Sequence, residues 1–136
     1  MIHKVESFIS RHKLLTPRAK VLVALSGGAD SVALLVALLK LGYRCEAVHC
    51  NFHLRGAESD RDEAYVKQLC EKKGVKLTTT HFDTAAHAKA HGISIEMAAR
   101  ALRYQEFERI RQTQGLDVIA VAHHQDDAVE TLLLNL

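Results

Sequence analysis

Cysteine is scarce in this chain: three residues in 136, Cys45, Cys50 and Cys70, with no C-x-x-C pair among them. That spacing makes neither a zinc motif nor a redox pair. With no secretory leader ahead of them, the thiols are expected to be reduced and the protein cytoplasmic. The longest apolar run, VALLVALL at positions 32–39, has eight residues, against the roughly twenty a membrane helix needs. Aromatics make up 5% of the chain and the net charge is only +2. There is therefore no dense stacking platform and no strong basic stripe for nucleic acid. No internal repeat or low-complexity tract is visible.

What is present fits one soluble globular domain, with 48% apolar and 25% charged residues. Ile2, Val5, Phe8, Ile9 and Leu15 recur at helical spacing, and Thr16-Pro17 ends that helix. KVLVAL (20–25) reads as a buried strand, and 30–40 as a helix closed by Gly42. YRCEAVHC is a second strand, followed by the polar loop NFHLRGAE. Ser59 and Asp62 resemble a capping box that opens a helix through Lys73. VKLTTTHF is a third strand, 84–91 a short helix, and Ser94 caps a long helix to about Gln114. DVIAVA is a fourth strand, and a last helix is expected from near Gln125, with no stop signal before the end at Leu136. That missing stop leads to the expectation that residues 1–136 form a single domain truncated at its C-terminus.

Strands alternating with helices predict an α/β fold, a parallel sheet with helices on both faces. Ligands of such sheets bind beyond the carboxyl ends of the strands. SGGADS (26–31) follows strand one and HHQDD (123–127) follows strand four. With strand order 3-2-1-4 the two motifs share one crevice.

SGGADS is a glycine turn at a helix N-terminus, a natural anion site. It has no lysine of the G-x-x-x-x-G-K-[ST] kind, and the chain has no G-x-G-x-x-G. Ser26, Gly27, Gly28, Ala29 and Ser31 would surround a phosphate, yet Asp30 brings a carboxylate to it. Either Asp30 holds a Mg²⁺ that neutralises the phosphates, or it simply caps its helix. In the long helix Ile95, Ala99, Leu102, Phe107 and Ile110 share one apolar arc, with Arg103 and Glu106 inside it. Arg103 either reaches a phosphate or snorkels outward with Glu106; Arg100 and Tyr104 flank it. On the last helix Asp126, Asp127 and Glu130 are spaced to share a face, and one of His123 and His124 can turn toward the crevice. These groups could orient an ammonium, complete a Mg²⁺ shell or act as a base. Helix capping and an ordinary strand-end histidine are the alternatives. Arg55, in the loop after strand two, is either a phosphate ligand or a solvent-exposed side chain.

Strand–SGGADS–helix resembles the PP-loop of the N-type ATP pyrophosphatases. With HCNFHLRGAESDRDEAYV, SIEMAARALRYQEF and VIAVAHHQDDAVETLLLNL, the chain from Lys20 onward looks like the N-terminal catalytic domain of the tRNA(Ile)-lysidine synthetase family. One departure is Phe52, where many members carry histidine. The resemblance implies a Rossmann-like adenine nucleotide α-hydrolase fold, with ATP and Mg²⁺ as cofactors. It implies a ligase that adenylates the C2 oxygen of the wobble cytidine of tRNA(Ile), then joins free L-lysine to give lysidine, AMP and pyrophosphate. It supports an anion role for Arg100 or Arg103 without saying which; taken with the residue chemistry, the residues expected for catalysis are Asp30, Arg103, His123 and Asp127. Residues 26–31 with Arg100 would bind ATP, and Arg55, Asp126 and Glu130 would meet lysine or tRNA. Asp30 and Asp127 would hold the metal. No membrane partner is expected, and a homodimer is left open. The alternatives are a PP-loop tRNA thiolase, which would ordinarily carry C-x-x-C pairs, and a nucleotide-binding module without chemistry.

Overall fold

The computed structural model describes residues 18–125 and 128–134, with side chains as far as Ala122. The helix expected over 2–15 lies outside the described residues. The order is β1 (Lys20–Ala24), α1 (Ala29–Lys40), β2 (Arg44–Asn51), α2 (Ala57–Lys73), β3 (Leu77–His81), α3 (Thr84–His91), α4 (Ile95–Gln114), β4 (Val118–Gln125) and β5 (Ala128–Leu134). The sheet order is β3-β2-β1-β4-β5. The first four strands are parallel, in the expected 3-2-1-4 arrangement.

β1 explains why both faces are covered. Its side chains alternate, so Val21, Val23 and Leu25 pack with Leu34, Leu35 and Leu38 of α1 and Val66 and Cys70 of α2. Leu22 instead joins Val48, Phe107, Ile110, Ile119 and Val121 beneath α4. A strand buried on both sides reads as an unbroken apolar run, which is what KVLVAL is after its lysine. Its start is pinned to β4: the Lys20 N–H donates to Asp117 Oδ2 and the Asp117 N–H to the Lys20 carbonyl, both at 2.8 Å.

Two expectations are corrected. The last segment is not a helix from Gln125: β4 runs through His123, His124 and Gln125, and β5 returns antiparallel to it, with Glu130 in register with His123. AVETLLL contains the β-branched Val129 and Thr131, and a short apolar run carries no periodicity that separates strand from helix. Pairing with the open edge of β4 supplies its backbone partners. The spacing argument that put Glu130 on a helix face with Asp126 and Asp127 therefore does not apply, and those two aspartates lie outside the described residues. Second, Ser59 does not cap α2. The cap position is Gly56, so Ser59 already stands inside the first turn, and its Oγ accepts the Arg55 N–H at 3.2 Å.

Candidate nucleotide-binding crevice

β1 ends where the loop 25–28 turns into α1. Gly27 has φ +97°, a left-handed conformation that favours glycine. A Cβ built there would lie 3.0 Å from Asp62 Cβ and 3.2 Å from Asp62 Oδ1. Gly28 is the helix cap, in extended conformation and without a side-chain cap. Asp30 sits inside the first turn, so it is not the N-cap residue, though a carboxylate there also favours the helix N-terminus. The buried Ser31 organises the loop: its Oγ accepts the Ser26 N–H at 3.2 Å and donates to the Gly28 carbonyl at 3.0 Å. The Ser26 hydroxyl lies 3.2 Å from that of Ser31 and accepts the Gly28 N–H at 3.2 Å. The turn is thereby preformed, with the positive end of α1 behind it.

Two adjoining cavities open beside it. One, about 270 Å³, is lined by Ser26, Cys50, Asn51, Phe52, Arg55, Ser59, Asp62 and Arg103 among others. The other, about 150 Å³, is lined by Ser26, Ser31, Cys50, Phe52, Arg103, Phe107, Val121 and Ala122 among others. Four expected site residues thus converge: Ser26, Ser31, Arg55 and Arg103. They come from the loops after β1 and β2, from the first turn of α1 and from α4, with β4 forming a wall.

Arg103 is half-buried, its guanidinium carbon 5.4 Å from the centroid of the Phe52 ring. Glu106 is buried but pairs with Arg109, one turn on, leaving Arg103 directed at the crevice. The predicted arc is shifted: Ile95 is exposed, while Ala98 joins Ala99, Phe107 and Ile110 inside. Arg100 is exposed, lies 5.5 Å from the Tyr104 ring centroid, and lines neither cavity. His123 and Glu130 are placed only as backbone, in register across β4 and β5.

Sequence reasoning missed Asn51, Phe52 as a wall, and Asp62. Asn51, buried at the end of β2, donates at 3.4 Å to both Asp60 Oδ1 and Glu63 Oε1 and accepts the His53 N–H at 3.0 Å. It ties the loop after β2 to α2. Burial alone would push Glu63 up, but hydrogen bonds from Asn51 and Lys67, with His81 and Lys67 nearby, hold its carboxyl below the usual range. Asp62, on the same helix, faces Gly27 and pairs with Arg55. The acid-rich ESDRDE run after strand two, next to strand one in the expected order, was the available signal.

Among the described residues no three His, Cys, Asp or Glu side chains form a metal cage. Mg²⁺ takes one or two carboxylates and fills the rest of its shell with phosphate oxygens and water. Asp30, in the helix turn behind the loop, is of the right chemistry. Cys50 forms part of the wall of both cavities: burial first, opposed by Arg103 and helped by Glu106, pushes its thiol up to about 12.

A glycine turn without lysine, a carboxylate in the following helix turn and a crevice at parallel strand ends define a nucleotide-binding α/β domain. The PP-loop domain family matches residues 1–136, and the chain belongs to that family. Membership implies the use of ATP. The chain is 60% identical over 133 residues to the tRNA(Ile)-lysidine synthase of Bacteroides thetaiotaomicron, covering 98% of this chain and 31% of that protein. It is 54% identical over 136 residues to the enzyme of that name from Parabacteroides distasonis, covering 100% of this chain and 31% of that protein. The chain thus spans under a third of the length of these relatives. The fold is shared with an NH3-dependent NAD synthetase from Campylobacter jejuni, at a TM-score of 0.64 and 15% identity, over 87% of this chain and 53% of that one. Among the described residues no helix is long and apolar enough to cross a membrane.

Proposed function

We propose that this domain binds ATP for a ligase that adenylates the wobble cytidine of tRNA(Ile) and joins L-lysine to it. The observation that carries the reading is the convergence of Ser26, Ser31 and Arg103 on one crevice at the carboxyl ends of β1, β2 and β4. The names of the relatives supply the substrate class. The loop 26–31 takes the phosphates on the backbone N–H groups that its two serines do not already engage. Asp30, with Asp127, holds Mg²⁺, which when bound offsets the phosphate charge. Arg103 faces the α-phosphate and stabilises the charge that develops there. The C2 oxygen of cytidine bonds to the α-phosphorus as the bond to pyrophosphate breaks. The lysine amine, having lost a proton, then bonds to C2 as AMP leaves. His123, Asp126, Asp127 and Glu130 are the groups proposed to orient that amine or take its proton. Arg55 and Arg100 are proposed for phosphate or tRNA contacts.

The test is pyrophosphate release by the full-length protein. Release is expected only with ATP, Mg²⁺, lysine and tRNA(Ile) carrying the wobble cytidine, and Asp30→Ala should abolish it. Release that requires a sulfur donor, or ATP binding without turnover under any combination, rejects the proposal.

A further inference from the structure

The loop lacks the lysine with which a Walker-type loop meets the β- and γ-phosphates. Arg55 and Arg103 are the two arginines lining the larger cavity beside it. Arg103 is engaged on the Phe52 ring. Arg55 is held differently: Nη2 contacts Asp62 Oδ2, and Nη1 lies 3.6 Å from Glu58 Oε2. Asp62 is packed against Gly27 so closely that a Cβ there would meet it at 3.0 Å. A carboxylate and a guanidinium therefore sit at the edge of the anion loop, bonded to each other.

An anion in that loop changes this balance. It repels Asp62 and competes with it for Arg55. The arginine is exposed, at 60%, while the aspartate side chain is part-buried, at 32%, and an ion pair with one partner in solvent is screened and weak. A guanidinium gains more from a two-pronged contact with phosphate. We propose that Arg55 is the substitute for the missing lysine, clasping the β- and γ-phosphates that leave as pyrophosphate. Asp62 is a positioning residue that parks Arg55 at the loop until they arrive. The inference rests on reading the loop as the ATP site.

The experiment measures binding of inorganic pyrophosphate with Mg²⁺, and of AMP, to the full-length protein by calorimetry. Arg55→Gln should weaken pyrophosphate about tenfold or more, the loss of a charge-assisted contact, and leave AMP within about twofold. Arg55→Lys should recover part of the loss, since a point charge replaces the fork. Asp62→Asn should tighten pyrophosphate about threefold, because a competitor and a like charge are both removed. In Arg55→Gln/Asp62→Asn the gain from a freed arginine should vanish. A merely structural Asp62 gives the opposite sign, and weakened pyrophosphate in a folded Asp62→Asn protein overturns the proposal. If that variant does not fold, Asp62→Ser carries the same expectation. Equal losses of AMP and pyrophosphate in Arg55→Gln also overturn it. ATP binding by the wild-type protein, with pyrophosphate binding unchanged in both variants, rejects the clasp alone; wild-type protein that binds neither ATP nor pyrophosphate rejects the ATP site with it.

Discussion

Arg103 lies over Phe52, and Phe52 is itself stacked on Phe82, with ring centroids 5.5 Å apart and planes 17° from parallel. The charge of one helix is thus steadied by an aromatic pair from the loops after β2 and β3. Removing the ring while keeping bulk isolates that support. Phe52→Leu is expected to lower the rate of pyrophosphate release about three- to fivefold, the scale of a cation–π contact of about 0.5–1 kcal/mol. Arg103→Ala should cost about a hundredfold or more, as the loss of a charge placed for the transition state. Equal effects of the two substitutions on turnover would assign the crevice charge to another residue.

The thiols give a pH-dependent check on the packing. Cys50 and Cys45 are both pushed up to about 12 from an ordinary 9.0, each by burial first. At pH 8 the thiolate fraction of each falls to roughly a thousandth of that of an ordinary cysteine, and the thiolate is the reactive form. Alkylation of the native protein by iodoacetamide should therefore be slow at pH 8. It should keep rising with pH beyond about 10, where labelling of the unfolded chain has levelled off. Rapid labelling of Cys50 at pH 8 would place it in a more polar setting than the crevice described.

The two loop glycines should respond differently to the same methyl group. Gly27→Ala must hold φ +97° and place Cβ 3.0 Å from Asp62 Cβ, so a loss of about 1–3 kcal/mol is expected. At Gly28 the backbone is ordinary and the added Cβ meets only Ser26 Oγ, at 3.4 Å. Gly28→Ala should leave stability within about 0.5 kcal/mol. Denaturant midpoints separate the two.

Much of the fold was legible because local and global signals agreed. After Lys20, KVLVAL is apolar on both of its alternating faces, which suits an inner parallel strand, and that strand delivers SGGADS to the crevice. Arg103 stood out as a charge in an apolar arc, and it does face the crevice. Glu106 beside it pairs with Arg109 instead, because i, i+3 spacing allows that partner equally well. Asp62 was legible only as a member of an acidic run. Its contact with Gly27 joins segments thirty-five residues apart by number, and comes from how α2 brings Asp62 up to the loop after β1. AVETLLL was illegible for a different reason: the edge of β4, not the segment's own pattern, decides its pairing.

Helix caps show the same division and can be measured. Ser94 lies outside α4, in extended conformation, and its Oγ accepts the Met97 N–H at 3.1 Å. Asp83 does the same for α3, accepting the Ala86 N–H at 3.1 Å. Ser59 has the residue type of a cap but stands within the first turn of α2, where Oγ accepts the Arg55 N–H from the preceding loop. A cap satisfies a helix donor that has no other partner, so Ser94→Ala should cost about 1 kcal/mol, and Asp83→Ala about as much. Ser59→Ala removes no cap and should cost less than about 0.5 kcal/mol, the scale of an exposed surface substitution. Urea unfolding of the three variants reads these differences directly. A Ser59→Ala loss as large as that of Ser94→Ala would mean that the Arg55 N–H bond to Ser59 Oγ holds the loop as firmly as a cap holds a helix, and so helps keep Arg55 beside Asp62.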